Sequence, residues 1–159
     1  MEQKILVACF SASGVTKKVG EAIARVAGGD FFEIVPKVRY TTQDLDWTNR
    51  SSRSSVEMRE PTSRPEIANA LPDVASYTTV IVGFPIWWGV APRIIETFLE
   101  SCDFNGQTIL PFCTSGGSGV GASDSALHKN VRGSVKWGKG VQINHPDEAE
   151  IRKWLERAL

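Results

Sequence analysis

Residues 5–10, ILVACF, form an uninterrupted apolar run, the pattern of a strand buried on both faces. A polar SASG follows, and then Val15, Val19, Ala22, Ile23 and Val26 recur at helical spacing until Gly28 and Gly29 stop the pattern. FFEIV at 31–35 predicts a second strand, closed by Pro36. The chain thus opens strand, helix, strand with short connections, which implies parallel strands and a right-handed crossover.

The segment 37–72 breaks this rhythm. It lacks a strand pattern, contains Pro61, Pro65 and Pro72, and runs through the polar TNRSSRSSVEMRE. An amphipathic helix within 43–60 and a long surface excursion around it are expected, and excursions of that length are usually functional or mobile. Regularity returns with TTVIVGF at 78–84, a third strand. Pro92 suits the first turn of a helix carrying Ile94, Ile95, Phe98 and Leu99 on one face. QTILPFC at 107–113 predicts a fourth strand, although Pro111 argues against an interior ladder position. The glycine- and hydroxyl-rich TSGGSGVGAS (114–123) leads into a helix around 124–131, and SVKWGKGVQI (134–143) holds a fifth strand. A last helix starts at Asp147 with Glu150 three residues on, as in a capping box, and Ile151, Trp154, Leu155 and Ala158 make its inner stripe. Five apolar strands alternating with helices predict a three-layer, doubly wound α/β sheet, a single domain over 1–159 without repeats or a dividing linker.

Charge and cysteines narrow the classes of partner. Lysine plus arginine balances aspartate plus glutamate at 18 each, so no net field draws the chain to nucleic acid or a membrane surface. Cys9, Cys102 and Cys113 form no CxxC pair and cannot pair off completely, which suits a reducing compartment. The apolar start is too short for a secretory core, and no segment reaches membrane-span length. The expectation is a cytoplasmic protein.

In open α/β sheets ligands bind beyond the carboxyl ends of the strands, where strand order reverses. That rule selects the loops at 11–16, 85–89 and 114–121. In SASGVT, Ser11, Ser13 and Thr16 surround Gly14 at a strand-to-helix turn, where free N–H groups and the helix dipole favour an anion. Lys17 and Lys18 oppose that dipole, a conflict a bound phosphate would offset. The plainer reading is that Ser13 only caps the helix. The glycine loop can bring backbone N–H groups against a planar ligand, or can be a flexible solvent loop. In FPIWWGVAP (84–92), adjacent Trp87 and Trp88 point to opposite sides, so one indole can pack while the other faces the crevice. A stacking platform, a partner anchor and a core residue all remain open for them.

Other chemistries fit less well. GSVKWGK (133–139) matches GxxxxGK, but Gly140 stands where a P-loop needs Ser or Thr. A phospho-receiver needs carboxylates where this chain has Cys9-Phe10 and Phe84-Pro85. GGSGV (116–120) misses the GxSxG elbow of serine hydrolases. Neither His128 nor His145 has metal-motif neighbours, and His145 belongs to the turn before the last helix.

Taken together, SASGVT, FPIWWGVAP and PFCTSGGSGVG resemble the flavodoxin-like family, its short-chain flavodoxins and related flavoproteins, over essentially the whole chain. The resemblance implies a parallel sheet of order 2-1-3-4-5 with FMN at the switch point between strands one and three. It puts the FMN phosphate on Ser11, Ser13, Gly14, Val15 (backbone) and Thr16. Pro85, Ile86, Trp87, Trp88 and Gly89 would line the isoalloxazine, with Trp87 on the ring side. Thr114, Ser115, Gly116 and Gly117 would close its other side with backbone N–H groups. Two departures stand out: Val15 replaces the asparagine of many flavodoxins, and the charge is balanced where electron carriers are strongly acidic. The excursion at 37–72 also exceeds what the minimal family fold needs. The implied activity is electron transfer through non-covalently bound FMN, with a redox partner protein or NAD(P)H as partner and the oligomeric state open. The alternatives are an FMN-dependent NAD(P)H:quinone or flavin reductase, for which Arg50, Arg53 and Arg59 could hold a nucleotide phosphate or form a solvated face, and a flavin-free interaction module. No catalytic acid or base and no metal site are expected, because flavin carries the redox chemistry. Cys9 and Cys113, on strands two spacings apart, are expected as buried thiols.

Overall fold

A computed structural model of the chain describes residues 4–12, 14–87, 90–114, 127–128, 131, 134–138 and 140–159. Strand β1 (Ile5–Cys9) is buried along its whole length and feeds helix α1 (Val15–Ala27). Strand β2 is Asp30–Glu33, shorter than the FFEIV run because Val35 and Pro36 already leave the ladder to meet the returning end of the excursion. Then follow α2 (Arg53–Arg59), β3 (Thr79–Pro85), α3 (Arg93–Ser101) and β4 (Thr108–Thr114). Two short strands, β5 (Lys136–Trp137) and β6 (Val141–Gln142), precede α4 (Glu148–Ala158). The sheet is parallel, ordered β2-β1-β3-β4-β5, with β6 also on β4.

Alternation along the strands separates two cores. Ile5, Val7, Cys9, Ile81, Leu110 and Phe112 face α1 and α4, where Val19, Ile23, Ile151 and Trp154 meet them. Leu6, Ala8, Phe10, Val82 and Phe84 face α3, which buries Ile94, Ile95, Phe98 and Leu99. Each such side chain contributes about 1.5–3 kcal/mol over leaving it exposed. Helix ends follow local chemistry: Gly28 closes α1 in the left-handed region (φ 68°), and the Asp147 carboxylate accepts from the N–H groups of Ala149 and Glu150.

The fifth strand corrects the expectation of one continuous element. Ile109 pairs with Trp137 but Phe112 pairs with Val141, so the outer strand carries one extra residue and breaks into β5 and β6. Pro111, expected to disfavour an interior position, sits mid-strand in β4 and pairs with Val82. The break in the outer strand falls opposite it. Thr108 N–H donates toward β3, while the carbonyls of Ile109 and Cys113 accept from Gly138 and Ile143 on the outer side. By alternation the donor that Pro111 lacks would point toward the outer strand beside Gly138, where the pairing passes from β5 to β6. A Cβ at Gly138, at the same place, would stand 1.9 Å from Leu110 Cδ2, so a larger residue there would require the buried Leu110 side chain to shift.

The excursion is pinned rather than loose. Its ends run antiparallel at Pro36 and Ile67, with Lys37 N–H donating to Glu66 O (2.8 Å) and Ala68 N–H to Val35 O (2.7 Å). Arg64 grips Glu100 with Nε and Nη2 (both 2.9 Å) and Glu96 with Nη2 (3.0 Å). Arg93 binds Glu96 (2.8 Å) and donates to the carbonyls of Glu57 and Met58 at the end of α2. These charge-assisted contacts fasten α2 to α3.

Candidate functional site

The carboxyl ends of β1, β3 and β4 and the first turn of α1 are joined by hydrogen bonds. Thr16 Oγ1 lies 2.8 Å from Thr114 Oγ1, tying the first turn of α1 to the end of β4, and both residues are buried. Ile86 N–H donates to Thr114 O (3.0 Å), and Phe10 N–H donates to Gly83 O (3.0 Å). Three segments distant in sequence thus meet at the carboxyl edge of the sheet, at the switch point between β1 and β3.

The turn into α1 is closed by a side chain. Gly14 adopts φ 96°, and its N–H donates to Ser11 Oγ (2.9 Å). A Cβ at Gly14 would meet nothing within 4 Å, so open space lies before the loop. Val15 is exposed, and the first turn of α1 contains no acidic residue. Lys17, read as an unfavourable cation at this helix end, is partly offset by Glu33 at 3.4 Å. The Thr16 hydroxyl is paired with Thr114, and where Thr114 is the donor the Thr16 O–H is left to donate to an anion.

Beyond β3, Trp87 N–H donates to Val90 O (2.8 Å) and Val90 N–H to Trp87 O (3.1 Å). The Trp87 ring packs edge-on against Phe10 (centroids 5.8 Å) and Tyr40 (5.4 Å). Its remaining surface lines a cavity of about 360 Å³ together with Leu45, Trp47, Ser54 and Ile86. Of the residues expected at the site, Ser11, Gly14, Val15, Thr16, Pro85, Ile86, Trp87 and Thr114 all lie at this edge of the sheet. Ser13, Trp88, Gly89, Ser115, Gly116 and Gly117 lie outside the described residues.

Sequence reasoning missed what the excursion brings. Tyr40 donates to Glu57 Oε1 (2.5 Å), and Arg53 binds Glu57 Oε2 (3.0 Å) and Val38 O (2.6 Å) while its guanidinium covers the Tyr40 ring at 3.8 Å. Burial, with the Glu57 carboxylate second, pushes the Tyr40 phenol far above its ordinary range. Arg53 is thereby a structural clamp, neither a solvated charge nor a free phosphate ligand. The only signal for this in the sequence was the polarity of 37–72, which cannot reveal a fold-back.

Cys9, Cys102 and Cys113 are free and buried, as expected for unpaired thiols. Burial raises all three, Cys102 and Cys113 to about 11 and Cys9 further, so none offers a ready thiolate. No group of three or more His, Cys, Asp or Glu residues able to hold a metal ion occurs among the described residues. Nor is any helix among them long and apolar enough to cross a membrane.

The sequence profile of the flavodoxin family matches residues 4–158. Two solved structures of proteins assigned as flavoproteins, from Bacteroides eggerthii and Bacteroides uniformis, are each 44% identical with TM-scores of 0.92. The alignment covers 99% of this chain and 98% of the first, and 98% and 99% for the second. A flavoprotein from Lactobacillus acidophilus solved in complex with FMN superposes with a TM-score of 0.72 at 22% identity, over 97% of this chain and 99% of that one. No curated protein sequence matches the chain.

Proposed function

The chain belongs to the flavodoxin family, and on that premise we propose that it binds FMN without a covalent link and works as a redox flavoprotein. The observation that carries this reading is the hydrogen-bonded convergence of the start of α1, the residue after β3 and the end of β4 through Thr16, Ile86 and Thr114. The group fits the residues present. The open space before Gly14, the Ser11 hydroxyl and the start of α1 suit a phosphate, and Pro85 to Gly89 with Thr114 to Gly117 suit a flat ring. Ser13, Val15 and Thr16 complete the phosphate loop in this proposal. When bound, the flavin supplies one- or two-electron chemistry. The chain's own part is to orient the ring against Trp87 and Trp88, hold the phosphate, and set the local field with backbone N–H groups. The three unpaired thiols suit a reducing, cytoplasmic setting.

The experiment is a titration of flavin-stripped protein with FMN, followed by tryptophan fluorescence. Strong, saturable quenching by FMN, with riboflavin much weaker, is the expected result. Absence of quenching by FMN would sink the proposal.

A second reading, an FMN-dependent reductase drawing hydride from NAD(P)H, is favoured by one feature, the apolar cavity beside Trp87 with room for a small acceptor. Anaerobic mixing of FMN-loaded protein with NADPH separates the two. Rapid bleaching of the flavin marks a reductase, and a slow response marks a carrier served by a redox partner protein.

A further inference from the structure

Trp47 is the most exposed large apolar side chain among the described residues, with 73% of its surface open. It lines a depression of about 320 Å³ together with Arg50, Ser55, Met58 and Arg59, a size within the roughly 300–1,000 Å³ of small-molecule sites. All five residues come from the excursion, and none from the stretches at 11–16, 85–89 or 114–117. The hollow therefore lies apart from the residues proposed to hold FMN.

Its charge is one-sided. Each carboxylate of 44–60 is engaged away from Arg50 and Arg59: Asp44 accepts from Thr41 N–H (2.9 Å), Asp46 from Thr48, Glu57 from Tyr40 and Arg53, and Glu60 from Thr62 (3.0 Å). Arg53, Arg64 and Arg93 are paired with glutamates, whereas Arg50 and Arg59 have no carboxylate partner among the described residues. Of the three arginines offered by the sequence for a nucleotide phosphate, the fold thus withdraws Arg53 and leaves the other two in one hollow. Guanidinium groups without a carboxylate suit a phosphate, which they grip through forked donor pairs. An open indole beside them suits the face of a base. The wall is also set before a ligand arrives, because Arg93 holds the carbonyls of Glu57 and Met58, so little ordering opposes binding.

We infer that this depression holds the phosphorylated adenosine end of a nicotinamide dinucleotide, the base against Trp47 and the 2′-phosphate on Arg50 and Arg59, so that NADP(H) is preferred to NAD(H). The inference rests on the reductase reading above and names its donor. Trp47 also lines the cavity beside Trp87, which gives the nicotinamide end a place near the proposed flavin ring.

The test is calorimetric titration of flavin-stripped and FMN-loaded protein with NADP⁺, NAD⁺ and 2′,5′-ADP. NADP⁺ and 2′,5′-ADP should bind both forms, and NADP⁺ about tenfold or more tightly than NAD⁺. Arg50→Gln with Arg59→Gln should abolish that preference, weakening NADP⁺ and 2′,5′-ADP about tenfold, most at low salt, and leaving NAD⁺ nearly unchanged. Trp47→Ala should weaken all three about fivefold or more. The three substituted side chains are exposed, and unchanged urea midpoints check that the variants fold. Equal affinity for NADP⁺ and NAD⁺, failure of 2′,5′-ADP to bind, or a preference that survives the double arginine variant would overturn the inference. Anaerobic mixing keeps the two readings apart. If NADH bleaches the bound flavin as fast as NADPH and the double variant changes neither, the reductase reading stands and this site falls. If 2′,5′-ADP binds through the arginines while NADPH leaves the flavin oxidised, the site stands and the reductase reading falls.

Discussion

Gly83 offers the sharpest check on how the switch point is packed. An ideal Cβ there would lie 2.0 Å from Phe112 Cζ and 2.1 Å from Cε1, on the neighbouring strand. Ordinary carbon contacts are about 3.5–4.0 Å, so the ring would have to retreat by well over an ångström. Phe112 is fully buried against α1 and α4 and has nowhere to go. Gly83→Ala should therefore destabilise the fold by about 3 kcal/mol, at the top of the usual overpacking range or above it. Phe112→Ala alone should cost about 3–5 kcal/mol through lost transfer and an unfilled cavity. In the double variant the new methyl occupies space the ring has vacated. The pair should then cost about as much as Phe112→Ala alone, well short of the sum. Urea denaturation reads this as a shift of midpoint with the slope unchanged. If the two effects add to within about 0.5 kcal/mol, Gly83 is glycine for some other reason and the packing argument fails.

Glu96→Gln should cost about 1.5–3 kcal/mol, since the buried carboxylate serves both Arg64 and Arg93. It should also speed limited proteolysis within 37–72; unchanged cleavage would show that the excursion is held by other contacts. For the thiols the sign follows from burial. Folding raises Cys102 and Cys113 from the ordinary 9.0 to about 11, so their contribution is complete below pH 9 and fades as pH climbs towards 11 and unfolded thiols ionise first. Guanidinium midpoints on either side of pH 9 should fall at the higher pH, and all three thiols should react with Ellman's reagent only on unfolding.

The architecture was legible because it is written in short-range pattern. Continuous apolar runs at 5–10, 78–84 and 107–113 can satisfy their backbones only inside a covered sheet, and helical stripes between them supply the cover. The strand ends that precede the stretches at 11–16, 85–89 and 114–121 were legible the same way, since the carboxyl ends of parallel strands share one edge. Asp147 acted as the cap its position announced.

What sequence alone left open depended on contacts between segments far apart. Pro111 looks wrong for an interior strand until the neighbouring strand is seen to carry an extra residue opposite it. Nothing in the polar stretch 37–72 indicates that Arg53 covers Tyr40, that Tyr40 packs on Trp87, or that Arg64 and Arg93 share Glu96. The Ser54 hydroxyl is one of many serines in the sequence and becomes distinctive only once burial has removed its partners. Periodicity records which face of an element turns inward, a property of neighbours three or four residues apart; which groups meet there is set by the packing of whole elements, and that information exists only in the assembled fold.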